Sequence, residues 1–325
     1  MQESLIFADT KFGHCHASTI VETPQGLFMA CLAGPAEGHS ETGIWGASYN
    51  GEWRDQRQII VSTPDNGSDN RKNLSLWNPV LFRNDDEIRL YYRTGTSPED
   101  WHCSFVSAQP FCNWSGATLL PLPLIGPVRN KPVKLNMGDI IIPTSTETEA
   151  WSIHFEIFQE RKNNWKKVTV PGNGLQAIQP VIIEHKNKTL QALCRTRNSY
   201  IAQTWSDDGG LSWSQLELTE LINPNAAIDA IKCDRSGYLL VYNNCRFGRY
   251  KLSIATSADG HRWEDKLTLE NSPGEYSYPC LEFSESGELH VLYTFNRKNI
   301  KHVEISRQEV LQLFDQSDSS KMNVL

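Results

Sequence analysis

The sequence predicts an all-β fold, a six-bladed β-propeller built from four-stranded antiparallel blades. Three observations predict it: a tryptophan that recurs at intervals close to 50 residues, a paired apolar segment that recurs six times in the same frame, and a turn motif present in two clear copies. Short runs rich in Val, Ile, Leu and Tyr, split by turn residues, indicate an all-β array. A repeat of this length corresponds to one four-stranded blade.

The tryptophans are Trp53, Trp114, Trp165, Trp213 and Trp263, with gaps of 61, 51, 48 and 50 residues. The paired segments open at His16, Asn78, Lys131, Gln179, Asp229 and Tyr278. Each has a polar residue, usually followed by proline, then an apolar run, a Gly/Asp/Asn turn and a second, alternating run. The long first gap is accounted for by the polar insertion from Ser62 to Ser75. The sixth copy lacks a late tryptophan and soon meets a segment with helical spacing after Ile305 (Val310, Leu311, Phe314). The segment from Ser4 to Ala8 is therefore expected to supply the missing outer strand, closing the ring and removing free edges. This gives one domain over residues 1–315 and a flexible tail over 316–325.

The turn motif reads in full as Ser206, Asp208, Gly210 and Trp213, and one residue shorter as Ser257, Asp259, Gly260 and Trp263. Ser107 to Trp114 and Ser48 to Trp53 are degenerate echoes. A carboxylate that accepts backbone N–H bonds, a glycine at positive φ and a tryptophan packed between blades make this a structural turn.

Composition narrows the function. Hydrophobic residues are 39% of the chain and the formal net charge is −7, with no Lys/Arg block. Nucleic acid and anionic membrane are thus not expected as partners. No run approaches the ~18 apolar residues that cross a bilayer, and the first residues lack the pattern of a secretory signal. The eight cysteines form no CxxC pair and fall mostly in apolar runs. They read as reduced, buried thiols of a cytoplasmic protein, and the four Asn-X-Ser/Thr sequons at Asn66, Asn73, Asn113 and Asn187 as chance matches.

Repeat symmetry locates the chemistry. If the six copies are blades, the residues that open them occupy equivalent places around one channel mouth: His16, Asn78, Lys131, Gln179, Asp229 and Tyr278. A second set follows the second strand of each copy: Glu37, Arg93, Glu147, Arg195 with Arg197, Asn243 with Arg246, and Arg297. Blade loops commonly build sites in such a cleft.

The turn motifs, the tryptophan period and the blade count resemble the BNR/Asp-box sialidase superfamily over essentially the whole chain. The segments Gly126 to Pro132, Gln191 to Arg197 and Gly274 to Pro279 are similar to those of sialidase-like proteins. Some relatives of this architecture are lyases that cut rhamnose from glucuronate. The resemblance implies Tyr278 as nucleophile, since sialidases use a tyrosine that begins the last inner strand. The glutamate that assists it there is matched here by Gln179, which accepts no phenolic proton.

Sialidases also hold the substrate carboxylate with three arginines through bidentate charged hydrogen bonds. The first of these is replaced here by His14 and His16. Arg195 or Arg197 and Arg246 or Arg249 match the others, while Arg93, Arg129 and Arg297 are available from other blades. Tyr276 is a further candidate beside Tyr278. The family's acid, an aspartate on the first blade's loop, is absent; Glu37, Glu41 or His39 stands in that loop, which also reads as a lid. His14 and His16 alternate along one strand, so they face the same way as a general base or a metal pair. No third ligand lies at diagnostic spacing, so no metal or cofactor is assigned.

The expected function is that of a carbohydrate-active enzyme acting on a terminal acidic sugar, a sialic or uronic acid, by sialidase-like hydrolysis. The alternatives are a lyase acting by β-elimination at a uronic acid, and a non-catalytic propeller that binds sugar or protein. The partner expected is a small acidic sugar or oligosaccharide, with the oligomeric state open.

Overall fold

The computed structural model describes residues 1–61, 74–108, 113–135, 138–233 and 236–315. The expectations for the insertion at 62–73, Cys112 and the tail at 316–325 lie outside these residues. The described chain forms six four-stranded sheets, each an antiparallel meander arranged as one blade. Their inner strands are His14–Thr23, Ser75–Asn84, Val133–Lys134, Ala177–Glu184, Asp229–Cys233 and Tyr276–Phe283.

The ring closes as the sequence requires, with a shift in position. The outer strand of the sixth blade is Gln2–Leu5, paired antiparallel with Asn299–Ile305. Ile6 and Phe7 were expected inside that strand. They instead turn inward and are fully buried with Cys15, Ile20 and Leu292 between the sixth and first blades. Two large apolar side chains gain more from a core than from an exposed edge, at about 1.5–3 kcal/mol each.

The hydrophobic core lies between blades, as clusters at the interfaces. Ile141, Phe155 and Ile157 of the third blade, for example, pack on Ile182, Leu190 and Ala192 of the fourth. The full turn motif serves this interface. Asp208 accepts the Ser212 N–H at 2.9 Å, Gly210 has φ 86°, and Trp213 Nε1 donates to the Gly210 carbonyl at 3.1 Å. The Trp213 ring then stacks on Phe155 of the neighbouring blade at 4.1 Å. The shorter motif repeats the device, with Asp259 accepting the His261 and Arg262 N–H groups.

A polar seam joins the first and sixth blades on the outside. Trp53 Nε1–H can only donate, and it reaches Nδ1 of His302 at 3.0 Å. The His302 proton therefore sits on Nε2 and is donated to Nδ1 of His290 at 2.9 Å. Among the described residues His290, His302 and Glu304 bring ligand atoms within 4.8 Å of one another. The Trp53 bond occupies one lone pair of His302 and the proton the other nitrogen, so the seam is a hydrogen-bonded relay. Among the described residues seven cysteines are buried and in no disulfide. The helical spacing near the end becomes a helix at Arg307–Asp315 that buries Val310.

Candidate active site

The inner strands enter the channel through a backbone irregularity. Pairing between the first two strands slips between His16 and Thr19, Trp77 and Val80, Ile178 and Val181, and Ser277 and Cys280. Ala17, Gln179 and Tyr278 at these slips have φ of 56°, 55° and 54°. Left-handed backbone at non-glycine residues costs about 1–2 kcal/mol each. Because the slips are structurally equivalent, the counterpart of Tyr278 and Gln179 in the first blade is Ala17. The expected position was His16, one residue earlier, because sequence spacing carries no sign of the bulge. The first two strands of the fifth blade pair without a slip, and Asp229 simply begins its strand.

Tyr278 is buried at the mouth, in contact with Ala17 and Ala227. Three guanidiniums approach its ring: Arg129 at 5.4 Å, Arg249 at 5.7 Å and Arg195 at 5.8 Å from the centroid. Arg195 Nη1 also donates to the Tyr278 hydroxyl at 3.4 Å, the one hydrogen bond to that oxygen among the described residues. His16 stands edge-on to Tyr278, with ring centroids 4.0 Å apart, and His14 lies 5.4 Å from His16. Burial lowers the basicity of both imidazoles, and of His16 well below its usual range, so both are neutral at pH 7.

Arg297 ties the rim together. Its Nη1 donates to Glu37 at 2.7 Å and to Nε2 of His14 at 3.1 Å, and its Nε lies 3.3 Å from Glu275. Glu275 also receives Arg249 Nη1 at 3.2 Å and the Ser277 hydroxyl at 2.6 Å. Gln179 is buried, and its Nε2 donates to Glu147 at 3.3 Å while its Oε1 has no partner. Among the buried polar atoms without a partner are four more of this mouth: His14 Nδ1, His16 Nε2, and Nε of both Arg129 and Arg195. Buried polar atoms normally find partners, so such a cluster fits a place where a polar ligand completes the bonding.

Several sequence candidates have other duties. Tyr276 does not face the mouth. It is buried in the core between the fifth and sixth blades, packing on Phe295, with its hydroxyl on Ser272 at 2.8 Å. The bulge at Tyr278 breaks the two-residue alternation that would have aligned the two tyrosines. Arg93 is fully buried; its two Nη groups donate to the carbonyls of Pro127, Asn78 and Val128, and its Nε has no partner. Burial lowers its pKa to about 10. Asn78 is buried beside it and donates to Val128 at 3.4 Å.

Lys131 reaches the Leu281 carbonyl at 2.8 Å and pairs with Glu282. Asp229 accepts the Leu281 N–H at 2.7 Å, and burial raises its pKa. Arg129 donates to the Pro279 carbonyl at 2.5 Å and Asn130 to Gln179 at 3.1 Å. The stretch from Gly126 to Pro132 therefore plugs the channel beneath Tyr278. Arg197 is exposed, bonded to Gln176 and stacked over Trp151 at 4.0 Å, while Arg246 is exposed on the 243–250 loop. Of the pair considered there, Arg249 is the one beside Tyr278.

Glu275, Thr294 and Trp151 escaped sequence reasoning. Glu275 carries a signal, lying three residues before Tyr278 in the loop that enters the strand. Thr294 and Trp151 carry none, because cross-strand register alone brings them to the site.

Residues 25–291 match the model of the BNR repeat-like domain. In structure the chain is similar to a protein of unknown function from Dyadobacter fermentans, at 14% identity and TM-score 0.76, covering 93% of this chain and 97% of that one. It is also similar to a leech intramolecular trans-sialidase complexed with 2,7-anhydro-Neu5Ac, at 13% identity and TM-score 0.76, covering 97% and 70%. A third likeness is to the intramolecular trans-sialidase of Ruminococcus gnavus in complex with oseltamivir carboxylate, at 14% identity and TM-score 0.74, covering 94% and 97%. No curated protein is similar in sequence.

Proposed function

We propose that this chain, which belongs to the BNR repeat-like domain family, is a sialidase-like glycosidase acting on a terminal acidic sugar. The observation that carries the reading is the set of three guanidiniums around one buried phenol, with Arg195 on its hydroxyl. Charged, bidentate donors favour a carboxylate ligand, and the solved structures of similar fold with sialic-acid-type ligands support the sugar class.

In this reading Arg195 and its neighbours hold the sugar carboxylate against Tyr278. The Tyr278 oxygen attacks the anomeric carbon and the bond to the leaving oxygen breaks, with Arg195 stabilising the charge that develops. Glu37, on the first-blade loop and paired as a carboxylate with Arg297, takes the phenolic proton as Tyr278 attacks and passes it to the leaving oxygen. Water then displaces Tyr278, and the sugar departs with one oxygen from solvent.

One observation favours a second reading. Arg195 is only a donor, and Gln179 stands where a carboxylate would take the phenolic proton. In a β-elimination Tyr278 acts as the phenolate and takes the proton α to a uronate carboxylate, the arginines stabilise the enediolate, and its collapse breaks the bond to the β-oxygen, which leaves with the proton returned by Tyr278. Incubation with sialosides and with uronate-terminated oligosaccharides, read by mass and by ultraviolet absorbance, decides between them. Incorporated solvent oxygen identifies the hydrolase, a new unsaturated uronate the lyase, and turnover of neither excludes both.

A further inference from the structure

His14 and His16 are buried, adjacent and neutral, so what each can do depends on which nitrogen carries its proton. The surrounding bonds decide this. An arginine side chain has no acceptor. Arg297 Nη1 lies 3.1 Å from Nε2 of His14, so that nitrogen is the acceptor and the His14 proton sits on Nδ1.

For His16 the deciding group is Thr294. Its Oγ1 accepts the Ala17 N–H at 3.2 Å and lies 3.0 Å from Nδ1 of His16. Thr294 is fully buried, and among the described residues its hydroxyl has no other acceptor. With the proton on Nδ1, both the Thr294 hydroxyl proton and the Nε2 lone pair of His16 would be left unbonded, whereas with Thr294 donating to Nδ1 only the Nε2 N–H is; one fewer unbonded buried group, at about 1–3 kcal/mol, makes Thr294 the donor. The His16 proton is therefore on Nε2. Both proton-bearing nitrogens, His14 Nδ1 and His16 Nε2, are buried and without a partner.

We propose that His14 and His16 serve the mouth as neutral hydrogen-bond donors to a ligand oxygen, with Arg297 and Thr294 as the positioning residues that fix the two tautomers. Neither ring is then a general base or a metal ligand, because both lone pairs are occupied, one by Arg297 and the other by Thr294. The ligand role rests on the reading of the mouth as an acidic-sugar site; the tautomer assignment does not.

The test is a nitrogen-15 NMR spectrum of the full chain labelled at histidine, recorded between pH 6 and 8 before any ligand is added. Nδ1 of His14 and Nε2 of His16 are expected to show pyrrole-type shifts, and their ring partners pyridine-type shifts. The reverse pattern at either ring, or a charged ring at pH 7, overturns the proposal. Adding zinc should leave both patterns unchanged, and a zinc-induced shift at either ring also overturns it. Thr294→Val should shift His16 toward the other tautomer while Thr294→Ser retains the original. A His16 tautomer unchanged in a folded Thr294→Val protein removes the positioning role.

N-acetylneuraminate and glucuronate then probe the donor role. Downfield movement of the two N–H proton signals on binding is expected, and binding that leaves both signals in place overturns that role. Absence of binding by either acid counts against the acidic-sugar reading and leaves the tautomers measured in the free protein standing.

Discussion

Lys131 Nζ lies 2.8 Å from the carbonyl oxygen of Leu281. In a ring of six blades the third and sixth face each other, so this side chain spans the channel and anchors one repeat on the opposite one. Asp229 takes the N–H of the same Leu281, and Arg129 takes the carbonyl of Pro279 just above. These backbone groups are available because Tyr276–Phe283 is the innermost strand of its blade, with one edge unpaired toward the channel.

Removing that anchor should cost stability. Lys131→Met leaves the Leu281 carbonyl and Glu282 without their cation, partly open to solvent, for an expected loss of about 2 kcal/mol. Urea unfolding checks this as a lower midpoint at an unchanged m-value.

Arg93 and Arg195 should behave in opposite ways. Arg93→Met strips donors from three buried carbonyls and should destabilise the fold by about 3 kcal/mol. On the proposed function, Arg195→Met removes the guanidinium on the Tyr278 hydroxyl and should weaken N-acetylneuraminate binding by about 10–100-fold with little loss of stability. Arg195→Lys should not restore binding, since an ammonium lacks the planar fork. Calorimetric titration beside urea unfolding separates the two roles, and equal effects on binding would contradict them.

Tyr278→Phe keeps the buried ring and loses only the hydroxyl that faces Arg195. Turnover should fall by about 10³-fold or more while the melting temperature stays within a few degrees. Full activity in this variant would remove Tyr278 from the chemistry under either reaction.

The histidine seam predicts acid sensitivity. Burial, and then His290, depress the His302 pKa from its ordinary 6.5 to about 3. The unfolded chain therefore binds the proton first as pH falls. The stability present above pH 6.5 is lost progressively on acidification toward pH 3. At pH 5 the loss from His302 is about 2 kcal/mol. His290, whose pKa burial also lowers, adds to it, and Glu304 and Glu288 facing that ring moderate its share. Urea midpoints at pH 7 and pH 5 check the slope, and His302→Gln should flatten it.

Sequence alone carried the architecture, because a propeller repeats one local solution six times. Every blade needs its alternating strands, five keep the tryptophan and two the clear carboxylate turn, and these leave a period that survives divergence. The closing N-terminal strand was legible for the same reason, as the missing fourth member of the last repeat, though Ile6 and Phe7 chose the core over the edge. Tyr278 was legible because it opens that repeat.

What only the tertiary structure decided was which neighbours face the mouth. A bulge at positive φ reverses the alternation, so Tyr276 goes to the core and Tyr278 to the channel, and Ala17 takes the place read for His16. Whether an arginine holds a ligand or a carbonyl is equally invisible to spacing. Arg93 donates to a loop more than 30 residues away in sequence, and Arg129 to a strand 150 residues away. Strand periodicity is local and is written in consecutive residues, whereas hydrogen-bond satisfaction depends on groups that meet only when the ring has closed.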